Sequence, residues 1–218
     1  MNVSIAPLVC LLALLAPAAQ AAPAKTSSHP ATSPMNAAAV PAANPRVALQ
    51  TNKGRIVIEL YADKAPRTTR NFLDYVKSGF YNGTIFHRVM PGFMIQGGGF
   101  TQNQTEKPTR PPIKNEADNM VQNQRGTVAM ARTTDPDSAG AQFFVNLVNN
   151  GALNFRSKTP DGWGYTVFGN VVEGMDVVDA IAAVKAAPGR ISEAVPQEPV
   201  VIQKATILSA RKPAPRTK

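Results

Sequence analysis

Between residues 46 and 60, apolar and polar positions fall in two short runs, Val47-Ala48-Leu49-Gln50-Thr51 and Arg55-Ile56-Val57-Ile58-Glu59-Leu60, separated by Asn52-Lys53-Gly54. This is the pattern of a β-hairpin with a glycine in its turn. The period then becomes helical. Pro66 suits the first residue of a helix that runs to Lys77 and stops at Gly79, with Phe72, Leu73 and Val76 as its core-facing stripe. From Thr84 to Phe100 a period of two returns. It places Phe86, Arg88 and Met90 on one strand face and His87 and Val89 on the other. Pro91-Gly92 makes a turn, after which Met94 and Gln96 point one way and Ile95 the other.

Thr101 to Gln124 is polar and proline-rich without a sustained period, and reads as a long surface loop. Gly126–Ala131, Ala141–Asn146, Tyr165–Val172 and Val200–Ser209 read as further strands, the second placing Gln142 and Phe144 on one face and Phe143 on the other. Met175, Val178, Ile181 and Ala182 line one side of a second helix. Many short strands with only two substantial helices make the chain mainly β, an antiparallel barrel or sandwich with helical caps.

The region before this domain has another character. Ile5 to Leu15 is an apolar run, and Ala19-Gln20-Ala21 puts small residues at the two positions a signal peptidase reads, so residues 1–21 are expected to be an export signal. An uncleaved anchor is the alternative, although the run is short for a spanning helix and ends at Pro17. Residues 22–45, rich in Ala, Pro, Ser and Thr, are expected to form a disordered linker. The folded domain is expected over 46–210 and a basic tail over 211–218. Of the net charge of +9, the domain carries 18 Lys and Arg against 14 Asp and Glu, so the flanks hold about half of the excess. A periplasmic or otherwise exported location is the expectation. The single cysteine, Cys10, lies inside the signal, which removes disulfide and zinc-thiolate chemistry from the mature chain.

The candidate chemistry is narrow. His87 is the only histidine in the domain, so a His-rich metal site is excluded, and its strand parity points it away from Arg88 and towards a structural role. Gly97-Gly98-Gly99 neither opens a helix nor precedes a lysine, unlike a phosphate-cradling loop. Asp135-Pro136-Asp137-Ser138 is ordinary turn chemistry. Arg88 stands out as a cation among large apolar residues. As a core residue it would be costly without a carboxylate, and the neighbouring segments supply none.

The run Phe86-His87-Arg88-Val89-Met90-Pro91-Gly92-Phe93-Met94-Ile95-Gln96-Gly97-Gly98 resembles the signature of cyclophilins, the cyclosporin-binding class of peptidyl-prolyl cis-trans isomerases. The resemblance continues through Met130-Ala131-Arg132, Ser138–Val145 and Val167-Phe168-Gly169, and covers about Arg46 to Ala210. It implies a closed eight-stranded antiparallel β-barrel capped by two α-helices, with the site on its outer surface. It also implies that Arg88 is catalytic and that Phe93, Met94, Phe144 and Leu153 wall a proline pocket. Gln96 and Gln142 would be its polar contacts, and Ala131 and Arg132 would lie along the substrate backbone. Tyr165 stands where eukaryotic members have a histidine, Arg132 where they have an asparagine, and Ala152 where many have a tryptophan. The departures at Tyr165 and Ala152 imply weak cyclosporin binding and, with the signal segment, suggest the exported bacterial branch, whereas main-chain contacts at Arg132 would survive its change.

The expected activity is therefore acceleration of X-Pro bond rotation during folding of exported proteins, with proline-containing polypeptides as partners and no cofactor or metal. A non-catalytic peptide-binding module is the alternative of another class, and Arg88 together with Gln96 favours the enzyme. Nucleic-acid binding would need aromatic interleaving or a clustered basic face, and the sequence has neither. A monomer is expected, without stable membrane insertion once the signal is removed.

Overall fold

The computed structural model describes residues 44–209, so the expected export signal, nearly all of the expected linker and the basic tail lie outside the described residues. The hairpin forms as its pattern requires. Strand β1 (Arg46–Thr51) pairs with β2 (Gly54–Leu60) in unbroken register from Arg46 opposite Glu59 to Thr51 opposite Gly54, leaving Asn52-Lys53 as a two-residue loop. Val47, Leu49, Ile56, Ile58 and Leu60 all enter one core.

Helix α1 (Pro66–Lys77) has the limits its sequence signals predict. Its N-cap position is Ala65, which offers no side-chain acceptor. Glu116, from the long loop, does this instead: its carboxylate accepts from the Arg67 and Thr68 amides at 3.1 and 2.8 Å. That anion also complements the helix dipole. Phe72 is fully buried, within 5.1 to 5.5 Å of the Tyr81, Phe143 and Phe168 rings. Tyr75 is buried as well, whereas Leu73 is only partly covered.

The remaining elements are β3 (Thr84–Met90), β4 (Met94–Thr101), β5 (Thr127–Met130), β6 (Phe143–Asn146), β7 (Val167–Glu173), helix α2 (Met175–Ala182), β8 (Ala186–Ala187), β9 (Val195–Pro196) and β10 (Val200–Leu208). Eight strands close in the order β1-β10-β3-β4-β6-β5-β7-β2, every pairing antiparallel, while β8 and β9 form a separate two-stranded ribbon. A closed barrel leaves no strand edge unpaired. This decides between the barrel and the sandwich that the strand pattern left open.

One reading of the pattern fails. Phe86 does not share a face with Arg88 and Met90. Phe86 lies opposite Gly97 and Arg88 opposite Gln96, so β3 advances two residues where β4 advances one, a bulge at His87. The extra residue turns Phe86 into the barrel core beside Val89 and Ile95. Met90 stays outside, packed with Met94, Phe144 and Val167 in a second, smaller apolar cluster.

Candidate functional site

The site lies along a row of paired residues on the outside of the barrel. Arg88 on β3 is opposite Gln96 on β4, Gln96 is opposite Phe144 on β6, and Phe144 is opposite Ala129 on β5. Paired residues in antiparallel strands project to the same side. The register therefore sets a cation, an amide and an aromatic ring next to one another, although they are distant in sequence. Met94 lies two residues before Gln96 and falls on the same face. Phe93, at the turn between β3 and β4, is fixed through its carbonyl, which accepts from the Leu147 main-chain N–H at 3.0 Å and from Asn150 Nδ2 at 2.9 Å.

A hollow of about 100 Å³ opens here, lined by Arg88, Phe93, Met94, Gln96, Ala131, Arg132, Phe144, Leu153 and Tyr165. This is far below the size of a drug-sized pocket and suits a single small ring. Every residue carried over from the resemblance is in this lining except Gln142. Gln142 lies in an adjoining hollow of about 220 Å³, which shares Gln96, Ala131 and Arg132 and adds Glu106, Thr109 and Ser138. The two hollows are joined by an amide chain. Arg88 Nη1 stands 3.5 Å from Gln96 Oε1, and Gln96 Nε2 donates to Gln142 Oε1 at 2.9 Å.

The glycine run makes this geometry possible. At Gly99 a Cβ would lie 2.5 Å from Gln142 Cγ, so only glycine lets the Gln142 side chain cross β4 where it does. Gly98 has φ +84 and sits against the Phe143 and Tyr81 rings. The run serves close packing and has no phosphate-binding shape.

Arg132 is fixed differently from Arg88. Its Nε donates to the Gly164 carbonyl and its Nη1 to the Thr133 carbonyl, both at 2.8 Å, and its guanidinium lies 4.6 Å from the Tyr165 ring centre. Tyr165 in turn meets Phe144 edge to face at 5.6 Å. The side chain of Arg132 thus shapes the wall of the pocket, held there through Nε and Nη1.

The segments around Arg88 supply no carboxylate, but a loop 105 residues further along the chain does, which the sequence reading did not find. Glu193 Oε1 accepts from Arg88 Nε at 2.8 Å and from Nη2 at 2.6 Å. These bonds hold the Glu193 carboxyl below its ordinary value. His87 lies outside the lining of the hollow, as its expected structural role requires, although the bulge rather than simple parity sets its direction. It is 3% exposed and packs against Phe100 with ring centres 4.7 Å apart. Burial pushes its imidazole down to about 4, against a backbone hydrogen bond at Ile85 that raises it.

Sequence reasoning also missed what holds the far wall. Asn123, Asn146 and Asn150 form a largely buried amide network: Asn146 Nδ2 donates to Asn123 Oδ1 at 3.2 Å and Asn150 Nδ2 to Asn146 Oδ1 at 2.7 Å. Asn123 Nδ2 also donates to the Leu153 carbonyl at 3.0 Å, and Asn150 Nδ2 to that of Phe93. Asn146 ends a strand and the other two lie in turns, where asparagine is unremarkable, so nothing in their spacing marked them.

Known proteins resemble this chain. The family model for cyclophilin type peptidyl-prolyl cis-trans isomerases matches residues 46–207. A peptidyl-prolyl cis-trans isomerase of Streptomyces antibioticus is 60% identical over 162 residues, which cover 74% of this chain and 98% of that protein. Peptidyl-prolyl cis-trans isomerase B of Escherichia coli is 55% identical over 161 residues, covering 74% and 98%. Among solved structures, a cyclophilin type isomerase of Cryptosporidium parvum superposes with a TM-score of 0.62 at 24% identity, over 77% of this chain and 99% of that one, and supports the fold. On the family match and these identities, the chain belongs to the cyclophilin-type peptidyl-prolyl cis-trans isomerases.

Proposed function

We propose that Arg88 drives the isomerisation by donating to the imide nitrogen of an X-Pro bond whose proline ring sits in the pocket walled by Phe93, Met94, Phe144 and Leu153. The observation that carries this reading is a guanidinium at the rim of a small hollow with Phe93, Met94, Phe144 and Leu153 as its apolar wall and an amide beside it. Rotation about the bond faces roughly 18–20 kcal/mol because amide resonance is lost at the transition state. No covalent bond breaks and no proton need move. The nitrogen becomes pyramidal and regains a lone pair, which a permanently charged guanidinium can meet. The apolar wall keeps water from the imide, which disfavours the polar resonance form and strengthens the Arg88 contact. Lowering the barrier by about 7 kcal/mol corresponds to roughly 10⁵-fold acceleration. Gln96 holds the carbonyl side of the twisting bond, and the main chain at Ala131 and Arg132 guides the peptide.

Arg88→Ala tests the assignment. By NMR line-shape exchange on an Ala-Pro peptide, the variant is expected to lose at least about 10²-fold in turnover while peptide still binds. Undiminished turnover would remove Arg88 from the mechanism. A related structure of the Cryptosporidium parvum isomerase, 25% identical with a TM-score of 0.61, was obtained in the presence of the dipeptide Ala-Pro, which favours proline peptides as substrates here.

The clients are proposed to be exported polypeptides. This part of the reading rests on the apolar run and the Ala19-Gln20-Ala21 site at the start of the chain. Cell fractionation with N-terminal sequencing tests it: a mature chain beginning at Ala22 in an exported fraction supports it, and an intact N-terminus in the cytoplasm overturns it.

A further inference from the structure

The ion pair at the pocket rim is built from a loop whose backbone is tied to the strand carrying Arg88. Val89, the next residue after Arg88, donates its amide to the Ala194 carbonyl at 2.9 Å. Ala194 N–H donates to the Ser192 hydroxyl at 3.1 Å, and that hydroxyl stands 3.3 Å from Glu193 Oε2. Gly189 N–H donates to the Ser192 carbonyl at 2.9 Å, and Arg190 Nη2 to the Gln104 carbonyl at 2.6 Å. The β8–β9 ribbon pairs the two ends of the loop. Glu193 therefore reaches Arg88 from a fixed place, although 105 residues separate them.

A guanidinium presents five N–H donors in one rigid plane. Glu193 takes the edge formed by Nε and Nη2, and Gln96 faces Nη1 at 3.5 Å. Held at one edge by Glu193 and faced at Nη1 by Gln96, the plane is restrained against swinging about the side chain's last torsions, and the remaining donors on Nη1 and Nη2 are left for substrate. The side chains of Arg88 and Glu193 are 29% and 57% exposed. An ion pair this open contributes little to stability, and solvent likewise limits how far it weakens the arginine's field. Its geometric effect is not reduced in the same way, because a misplacement of about 1 Å can cost about 10²-fold in rate.

We propose that Glu193 is a positioning residue of the isomerase reaction, orienting the Arg88 guanidinium towards the imide nitrogen. This rests on the reading of Arg88 given above. The test is a double-mutant cycle of Glu193→Ala with Arg88→Ala, plus Glu193→Gln, each measured for kcat and KM on an Ala-Pro peptide. Glu193→Ala is expected to lower kcat about five- to tenfold with KM within about twofold. Glu193→Gln, whose amide oxygen accepts the same two bonds, is expected to retain at least half of the wild-type kcat. In the Arg88→Ala background the Glu193 change is expected to add nothing. The proposal is overturned by an unchanged or raised kcat in Glu193→Ala, by a glutamine variant no better than alanine, or by equal fractional losses in both backgrounds. Arg88→Ala with full activity would instead overturn the mechanism beneath it.

Discussion

Arg88 and His87 are adjacent in sequence, yet only one can contribute charge to the reaction. A guanidinium stays protonated at any working pH, and Glu193, held below its ordinary value by Arg88, stays ionised beside it. The His87 imidazole, pushed down to about 4, is neutral throughout the same range. Turnover of an X-Pro peptide is therefore expected to be nearly flat from about pH 6 to 9, and a bell-shaped profile lost in His87→Gln would contradict the mechanism. Stability should behave differently. Between about 4 and 6.5 the unfolded chain binds a proton at His87 that the folded chain does not, so acidification through this window favours unfolding. The loss is at most about 3 kcal/mol. Urea midpoints at pH 7 and 4.5 should differ more in the wild type than in His87→Gln. Arg88 was legible in the sequence as a cation among apolar side chains. Glu193 was not, because Ser192-Glu193-Ala194 looks like any polar loop and only the tether to Val89 brings it to the site.

Elements were legible where one periodicity ran unbroken. The β1–β2 hairpin and α1 match their signals because a two-residue loop and a proline at the first helical position fix their limits locally. The bulge in β3 was not legible. Whether Phe86 faces the core depends on how β3 aligns with β4, and register is a property of two strands. The period of two set Arg88 and Gln96 on neighbouring strands, but the place of Phe144 in their row depends on register as well, and only the family resemblance put it there. The short β8–β9 ribbon escaped too, since two-residue strands carry no period. Close approach at Gly99 gives this scale its own prediction. In Gly99→Ala the new methyl group would push the Gln142 side chain off β4 and break its 2.9 Å bond to Gln96. A neutral hydrogen bond is worth about 1 kcal/mol, so KM should rise roughly fivefold. Thermal melting should move little, because the clash is with a half-buried side chain that can turn away. A fall in melting temperature with KM unchanged would show that Gly99 serves the barrel alone.

At the level of the whole molecule, closure of the barrel makes residues 46–208 a unit that leaves no strand edge for a flank to cover. The family match spans nearly the same stretch, and relatives are covered over 98% of their own length by 74% of this chain. Among the described residues no helix is long and apolar enough to cross a membrane. The flanks differ mainly in charge: Lys25, Arg211, Lys212, Arg216 and Lys218 account for five of the net +9. Charge placed outside the barrel acts on encounter with acidic surfaces and is screened by salt over about 8–10 Å. Among the described residues, those that line the pocket all lie in the barrel and its loops. A chain trimmed to residues 44–210 is thus expected to keep both kcat/KM on a short Ala-Pro peptide and the melting temperature of the untrimmed chain. Adsorption to anionic vesicles or acidic polypeptides at low salt should weaken on trimming. A large loss of activity on the short peptide would instead mean that a flank reaches the site, and would assign the linker or tail a part in catalysis.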